Sequence, residues 1–387
     1  MRILIVNNNL HIGGVQKALV NLLWNIHDRY EVTLLLFSPD GAYLAELPRD
    51  VKVIQADSAY RYLGMTREDA GKKPADKFKR AFFAAMTRLF GRGSAIRLMA
   101  AGQRRLGDYD VAISYLHNGG KRAFYGGCND FVLRHVSAGK KAAFLHCDYL
   151  RSGANTKENS AQYAQFDRIA ACSEGCRRAF LSANPSLERK TMVVQNCHRY
   201  DAIRTKAVSE PIALAPGVIN LVTVARLGRE KGVGRAVQAI RLVKDAKTRL
   251  HYYIIGDGVE RAEIQKAIAE SGLSDVVTLC GASVNPYGYM KAADLLLIPS
   301  LSEAAPLVIE EAASLGTPVL STKTASADEM ITQRGLGWVC ENSAAGIARQ
   351  LLELLDNPAL LSETRAQMQD VVFSNQTAME QFEKAIE

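Results

Sequence analysis

The chain has 387 residues, 48% of them hydrophobic and 23% charged, with a formal net charge of +8. That length exceeds one ordinary core and suits two domains, and the composition excludes disordered and fibrous classes. The seven cysteines include no Cys-x-x-Cys pair, which argues against a disulfide framework or a zinc ribbon and for reduced thiols in a cytoplasmic protein.

Residues 2–7 (Arg-Ile-Leu-Ile-Val-Asn) predict a strand rather than a signal peptide, because polar residues follow the short apolar run at once. Gly13-Gly14 predicts a tight turn and residues 15–26 a helix; residues 31–37 and 51–54 predict the next strands. No stretch approaches the roughly 20 apolar residues of a membrane span.

The segment 71–107 carries ten basic residues and a single acid, Asp76. Phe78, Phe82, Phe83, Met86, Leu89 and Phe90 interleave with the charges. Two readings stand side by side: a basic amphipathic helix for an anionic bilayer, or a solvated helix pair covering the first core. No nucleic-acid motif accompanies the charge, so no nucleic-acid partner is expected.

Further strands are predicted at 109–115, 141–145, 168–171 and 192–194, and residues 202–217, polar and then Pro- and Gly-containing, read as an interdomain linker. A second series follows at 219–224, 251–255, 276–279, 295–299, 318–321 and 337–339, with a last helical stretch from about 358 to the end. Strand alternating with helix predicts doubly wound parallel sheets. Ligands bind such sheets at the carboxyl ends of the strands.

The densest chemistry lies at 302–312, Ser-Glu-Ala-Ala-Pro-Leu-Val-Ile-Glu-Glu-Ala, after the strand at 295–299. Glu303 and Glu311 stand eight positions apart, and Pro306 suits the first helical position. Backbone amides around Ala304, Ala305, Leu307 and Val308 would then offer an anion cradle at a helix N-terminus. After the second domain's first strand, Arg226 and Lys231 flank a loop, cations suited to a departing diphosphate. Gly256-Asp257-Gly258 and Gly281-Ala282 end the next two strands. His146 ends a first-domain strand beside Asp148; a structural histidine and a sugar-binding one are both open there.

The Glu-x7-Glu segment with Arg226-x4-Lys231 resembles the donor site of family 4 retaining glycosyltransferases. That resemblance implies a GT-B fold: two Rossmann-like doubly wound domains facing a cleft. It implies an acceptor-binding domain over 1–205, a nucleotide-sugar domain over 217–370, and a final helix, 371–387, crossing back to the first domain. It implies a metal-independent, retaining transferase with no cofactor beyond the nucleotide sugar, expected to be a UDP-sugar. The acceptor would be a glycan or lipid-linked glycan in surface or capsular polysaccharide synthesis. The expected location is the cytoplasm, peripheral on the inner face of the membrane.

Residue by residue, the resemblance gives Glu303 to the donor sugar, Glu311 to the ribose and Arg226 and Lys231 to the diphosphate. Gly13 and Gly14 would lie over the diphosphate, Gly256, Gly258 and Ala282 near the nucleotide, and His146 toward the sugar. The chain departs from the family at Ala304-Ala305-Pro306, where many members have Gly-Phe-Gly. That departure keeps a non-catalytic GT-B glycan-binding or regulatory protein as the alternative. Asp108-Tyr109-Asp110, an Asp-x-Asp, precedes the strand run at 111–115 and reads as a surface turn rather than a metal site.

Overall fold

The structure, a computed structural model, describes residues 1–244 and 250–387. The chain forms two compact units, Met1–Cys197 with Asn375–Glu387, and His198–Ser374.

The first unit is built on seven strands: β1 (Arg2–Asn7), β2 (Glu31–Leu36), β3 (Lys52–Gln55), β4 (Leu106–Ser114), β5 (Val136–Leu145), β6 (Arg168–Ala171) and β7 (Thr191–Val193). They pair in the order β3-β2-β1-β4-β5-β6-β7, all parallel. The second unit has six: β8 (Ile219–Val224), β9 (Leu250–Ile255), β10 (Val277–Gly281), β11 (Leu295–Ile298), β12 (Val319–Thr322) and β13 (Gly337–Cys340). Their order is β10-β9-β8-β11-β12-β13, again all parallel.

The unbroken apolar runs follow from burial on both faces. Along β1, Leu4 and Val6 enter one core cluster, while Ile3 and Ile5 enter the other. Along β11, Leu295 and Leu297 face one cluster, and Leu296 and Ile298 the second. A strand's two-residue period sends neighbours to opposite faces, so a covered parallel sheet needs apolar residues at every position.

Three local expectations change. Strands β4 and β5 begin at 106 and 136, earlier than the apolar pattern indicates, because their first residues extend past the covered core and pair with each other. The Asp-x-Asp therefore lies within β4 rather than ahead of it, in the strand's amino-terminal part, and the Asp110 carboxylate accepts the Arg2 amide at 2.6 Å. The stretch read as a polar linker opens with a helix, Tyr200–Ser209. Ile203 and Ala207, four apart and hence on one face, pack into the second unit's core.

The last helix, Gln376–Ile386, packs in the first unit. Ala378, Phe382, Ala385 and Ile386 form its buried stripe against Ile5, Leu23 and Phe144. Glu383 pairs with Arg29 at 2.5 Å, and Gln381 accepts the Gln195 amide at 2.9 Å.

Candidate active site

In each sheet the strand order reverses once, between β1 and β4 and between β8 and β11. Such a switch point opens a crevice at the carboxyl ends of the strands, where open α/β sheets hold ligands.

At the β8/β11 switch, the loop after β8 carries Lys231 and the loop after β11 carries Glu303. Their side chains meet, Nζ to Oε1, at 2.7 Å, and the Ser300 hydroxyl donates to the same oxygen at 2.7 Å. The loop that presents Glu303 is held by the backbone. Arg235 donates to the Pro299 carbonyl at 2.6 Å, Thr322 to that of Ser300 at 2.6 Å, and Asn342 to that of Leu301 at 3.2 Å. The Leu301 amide donates to the Glu230 carbonyl at 2.8 Å, tying this loop to the one that bears Lys231. Gly232, at φ +63, ends the short turn Arg229–Lys231; a Cβ there would strike the Pro299 carbonyl.

Arg226 points elsewhere, pairing with Glu230 at 2.6 Å. Its loop is stitched to the next two turns of the same sheet edge. The Ala225 amide donates to Ile255, Leu227 to Asp257, and Gly256 to Gly281. This gathers Arg226, Gly256, Gly258 and the Gly281–Ala282 turn at one edge. Gly256 and Gly258 have φ of +149 and +159, and added Cβ atoms would collide with the Ala225 and Leu227 carbonyls. Close backbone approach thus accounts for both glycines.

Pro306 caps the helix Leu307–Ala313 instead of occupying its first turn, so the helix begins one residue later than expected. The amide cradle is correspondingly modest: the helix has seven residues, and Ala304 and Ala305 already make contacts within the protein. Leu307 is buried and Val308 half-buried. Glu311 is buried, with the Tyr287 hydroxyl 3.5 Å from its Oε1. Glu310, its neighbour, belongs to a structural ion pair with Arg334 and accepts the Tyr200 hydroxyl at 3.2 Å.

At the β1/β4 switch of the first unit, Gly13 caps the helix Gly14–Ile26 in an extended conformation. An added Cβ on Gly14 would meet nothing within 4 Å. His146 follows β5, its ring 4.6 Å from that of Tyr115. Sequence reasoning passed over His117, which follows β4 and is buried. His117 Nδ1 and His146 Nε2 are shielded and find no hydrogen-bond partner among the described residues. Burial pushes both rings toward the neutral form, His117 down to about 4 and His146 to about 3, where His117 adds to the shift. Two neutral imidazoles at adjacent strand ends suit hydrogen bonding to an uncharged hydroxyl. The signal for His117 was its place two residues beyond an apolar strand, legible only once the switch point is known.

Among the described residues one group has metal-ligating chemistry, His11, Asp40 and Asp69, its ligand atoms within 4.8 Å of one another. Asp69 is already engaged there by Thr66, Lys72 and His11, and the Thr66 hydroxyl leads in holding its carboxyl near 2.

Residues 208–371 match the family described as glycosyl transferases group 1. The chain is 34% identical over 150 residues to the amylovoran biosynthesis glycosyltransferase AmsK of Erwinia amylovora, covering 36% of this chain and 37% of that protein. It is 32% identical over 180 residues to the putative colanic acid biosynthesis glycosyltransferase WcaL of Salmonella typhimurium, covering 43% and 44%. The match thus spans less than half the length of these curated relatives. In solved structures the fold recurs over almost the whole chain. Anabaena HepE in complex with UDP and glucose has a TM-score of 0.69 at 18% identity, covering 99% of this chain and 98% of that one. WaaG, a glycosyltransferase involved in lipopolysaccharide biosynthesis, has a TM-score of 0.60 at 15% identity, covering 99% and 98%.

Two Rossmann-like parallel-sheet units in one chain are the GT-B architecture. The match to the group 1 glycosyl transferases lies within the second unit and spans less than half of the chain.

Proposed function

We propose that the protein is a retaining glycosyltransferase that moves a sugar from a nucleotide donor, a UDP-sugar, to a glycan or lipid-linked acceptor in bacterial surface polysaccharide assembly. The observation that carries this reading is the Lys231–Glu303 pair spanning the β8/β11 switch point. The relatives named for amylovoran and colanic acid synthesis support the pathway class, and HepE with UDP and glucose supports the donor class. Nothing observed favours the non-catalytic alternative.

Glu303 accepts hydrogen bonds from the donor sugar's hydroxyls, and Glu311 accepts from the ribose. Lys231, with Arg226 swung from Glu230, stabilises charge growing on the diphosphate as the sugar–oxygen bond breaks. These two cations do the work a metal ion would otherwise do. The acceptor hydroxyl attacks the anomeric carbon from the face the diphosphate leaves, and its proton passes to the departing phosphate oxygen. By the same family resemblance, His146 is assigned to the sugar and Gly13-Gly14 to the diphosphate.

The test is proton NMR of product formed from α-configured UDP-sugars in excess EDTA. Transfer with retention of the α configuration is expected; an inverted product, or turnover only with added metal, would overturn the proposal.

A further inference from the structure

The helix Pro74–Phe90 buries one face in the fold and leaves a second, apolar face outside it. Phe83 and Thr87 are buried beneath it, with Asp76 held by Arg61 at 2.7 Å. The opposite stripe is Phe78, Phe82, Ala85 and Leu89, spaced four, three and four residues apart, so all four share one side. It faces outward: Phe78 is 75% exposed, Phe82 46% and Leu89 72%, and Phe90 at the helix end is 68% exposed. Lys77 and Arg88 flank this stripe on one side and Lys79 on the other, all exposed. From Lys72 to Leu98 the only acid is Asp76, which is buried, so the exposed surface carries cations alone.

Isolated exposed apolar residues are ordinary, but an aromatic stripe bordered by lysine and arginine has the make-up of an interfacial helix. Water gives the phenyl rings no compensation, whereas a headgroup layer buries them to a depth of about 5–10 Å and pairs the cations with lipid phosphates. A second copy of the chain would bring cations against cations. We propose that Pro74–Phe90 is a membrane-docking helix that lies in the headgroup region of an anionic bilayer, Phe78, Phe82 and Leu89 inserted.

A cavity of about 790 Å³ adjoins this stripe, with Phe78, Lys79 and Phe82 on one wall and Gln55, Ser58 and Arg61 on the other. Gln55 is the last residue of β3, so the cavity lies at the carboxyl edge of the first sheet, the edge that also bears Gly13-Gly14 and His146. Docking along the stripe brings the bilayer surface to that edge. The inference concerns the surface alone and holds whatever the donor proves to be.

The test is sedimentation of the full chain with vesicles of phosphatidylcholine, and of phosphatidylcholine with phosphatidylglycerol, at low and high salt and without nucleotide. Expected are binding to the anionic vesicles only, weakening at high salt, and a loss of tenfold or more in Phe78→Glu and in Leu89→Glu. Both positions are open to water, so thermal melts of the variants should match the parent. Lys77→Glu should weaken binding and reduce its salt dependence. Absence of vesicle binding by the parent chain, equal binding to neutral vesicles, unchanged binding in both Phe78→Glu and Leu89→Glu, or stripe-dependent self-association in place of lipid binding would each overturn the proposal.

Discussion

Lys231 Nζ and Glu303 Oε1 lie 2.7 Å apart although 72 residues separate them in sequence. The pair spans the one reversal of strand order in the second sheet, where β8 and β11 run side by side. An ammonium suited to phosphate and a carboxylate suited to hydroxyls thus lie side by side at this switch point, each neutralising the other.

Lys231→Ala and Glu303→Ala should each lower kcat by about 10²–10³-fold, the range for removing a group that stabilises charge in the transition state. Stability should fall by only about 1 kcal/mol, since the ion pair is partly open to water. The two groups act on one bond, so the double variant should be little worse than either single one. Fully additive losses in steady-state kinetics would separate their roles.

Glu311 is assigned to binding rather than to bond breaking. Glu311→Gln should weaken nucleotide binding by roughly ten- to a hundredfold, corresponding to about 1.5–3 kcal/mol for hydrogen bonds to a charged group, with kcat much less affected. Calorimetric titration with UDP beside steady-state kinetics checks this. A lowered kcat with unchanged affinity would reverse the assignment.

Gly256 sits where a Cβ would enter the Ala225 carbonyl, at φ +149. Gly256→Ala should cost about 1–3 kcal/mol or more in chemical denaturation, from backbone strain and collision together. It should also impair catalysis, because the displaced loop carries Arg226. A fully stable, fully active Gly256→Ala would show that the two turns can part without consequence.

The two histidines at the strand ends make stability depend on pH. His117 and His146 are held neutral in the folded chain, at about 4 and 3, but take up protons near 6.5 once unfolded. The unfolded state therefore binds more protons as pH drops, and the stabilisation, complete above 6.5, is lost from 6.5 down to about 4 for His117 and about 3 for His146. His117 alone contributes up to about 3 kcal/mol over that window. Melting temperatures followed from pH 7 to 4 should fall less steeply in His117→Gln than in the parent. Parallel curves would mean that His117 is solvated or already charged in the fold.

Much of this architecture can be read from residue order, for a physical reason. Strands covered on both faces must be apolar throughout, so runs such as Leu295-Leu296-Leu297-Ile298 stand out, and the parallel α/β class follows from their alternation with helices. The helix Tyr200–Ser209 escaped because it buries only a narrow stripe, Ile203 and Ala207, leaving an otherwise polar segment that mimics a linker. The residue types of the candidate site were legible from their spacing. Their pairing was not: Lys231 meets Glu303 while Arg226 turns to Glu230, and Glu310 meets Arg334. Side-chain partners seventy residues away are fixed by sheet order, which local pattern does not encode. Arg235 and Asn342, which hold the Glu303 loop through its carbonyls, carry no motif at all.

Titration calorimetry of UDP into the parent chain and Lys231→Ala, both in excess EDTA, puts the proposed donor site to the test. Binding by the parent without metal, weakened at least tenfold in the variant, is the expected result. No binding by the parent, or equal affinity in both proteins, would contradict the placement of a nucleotide diphosphate at the β8/β11 switch.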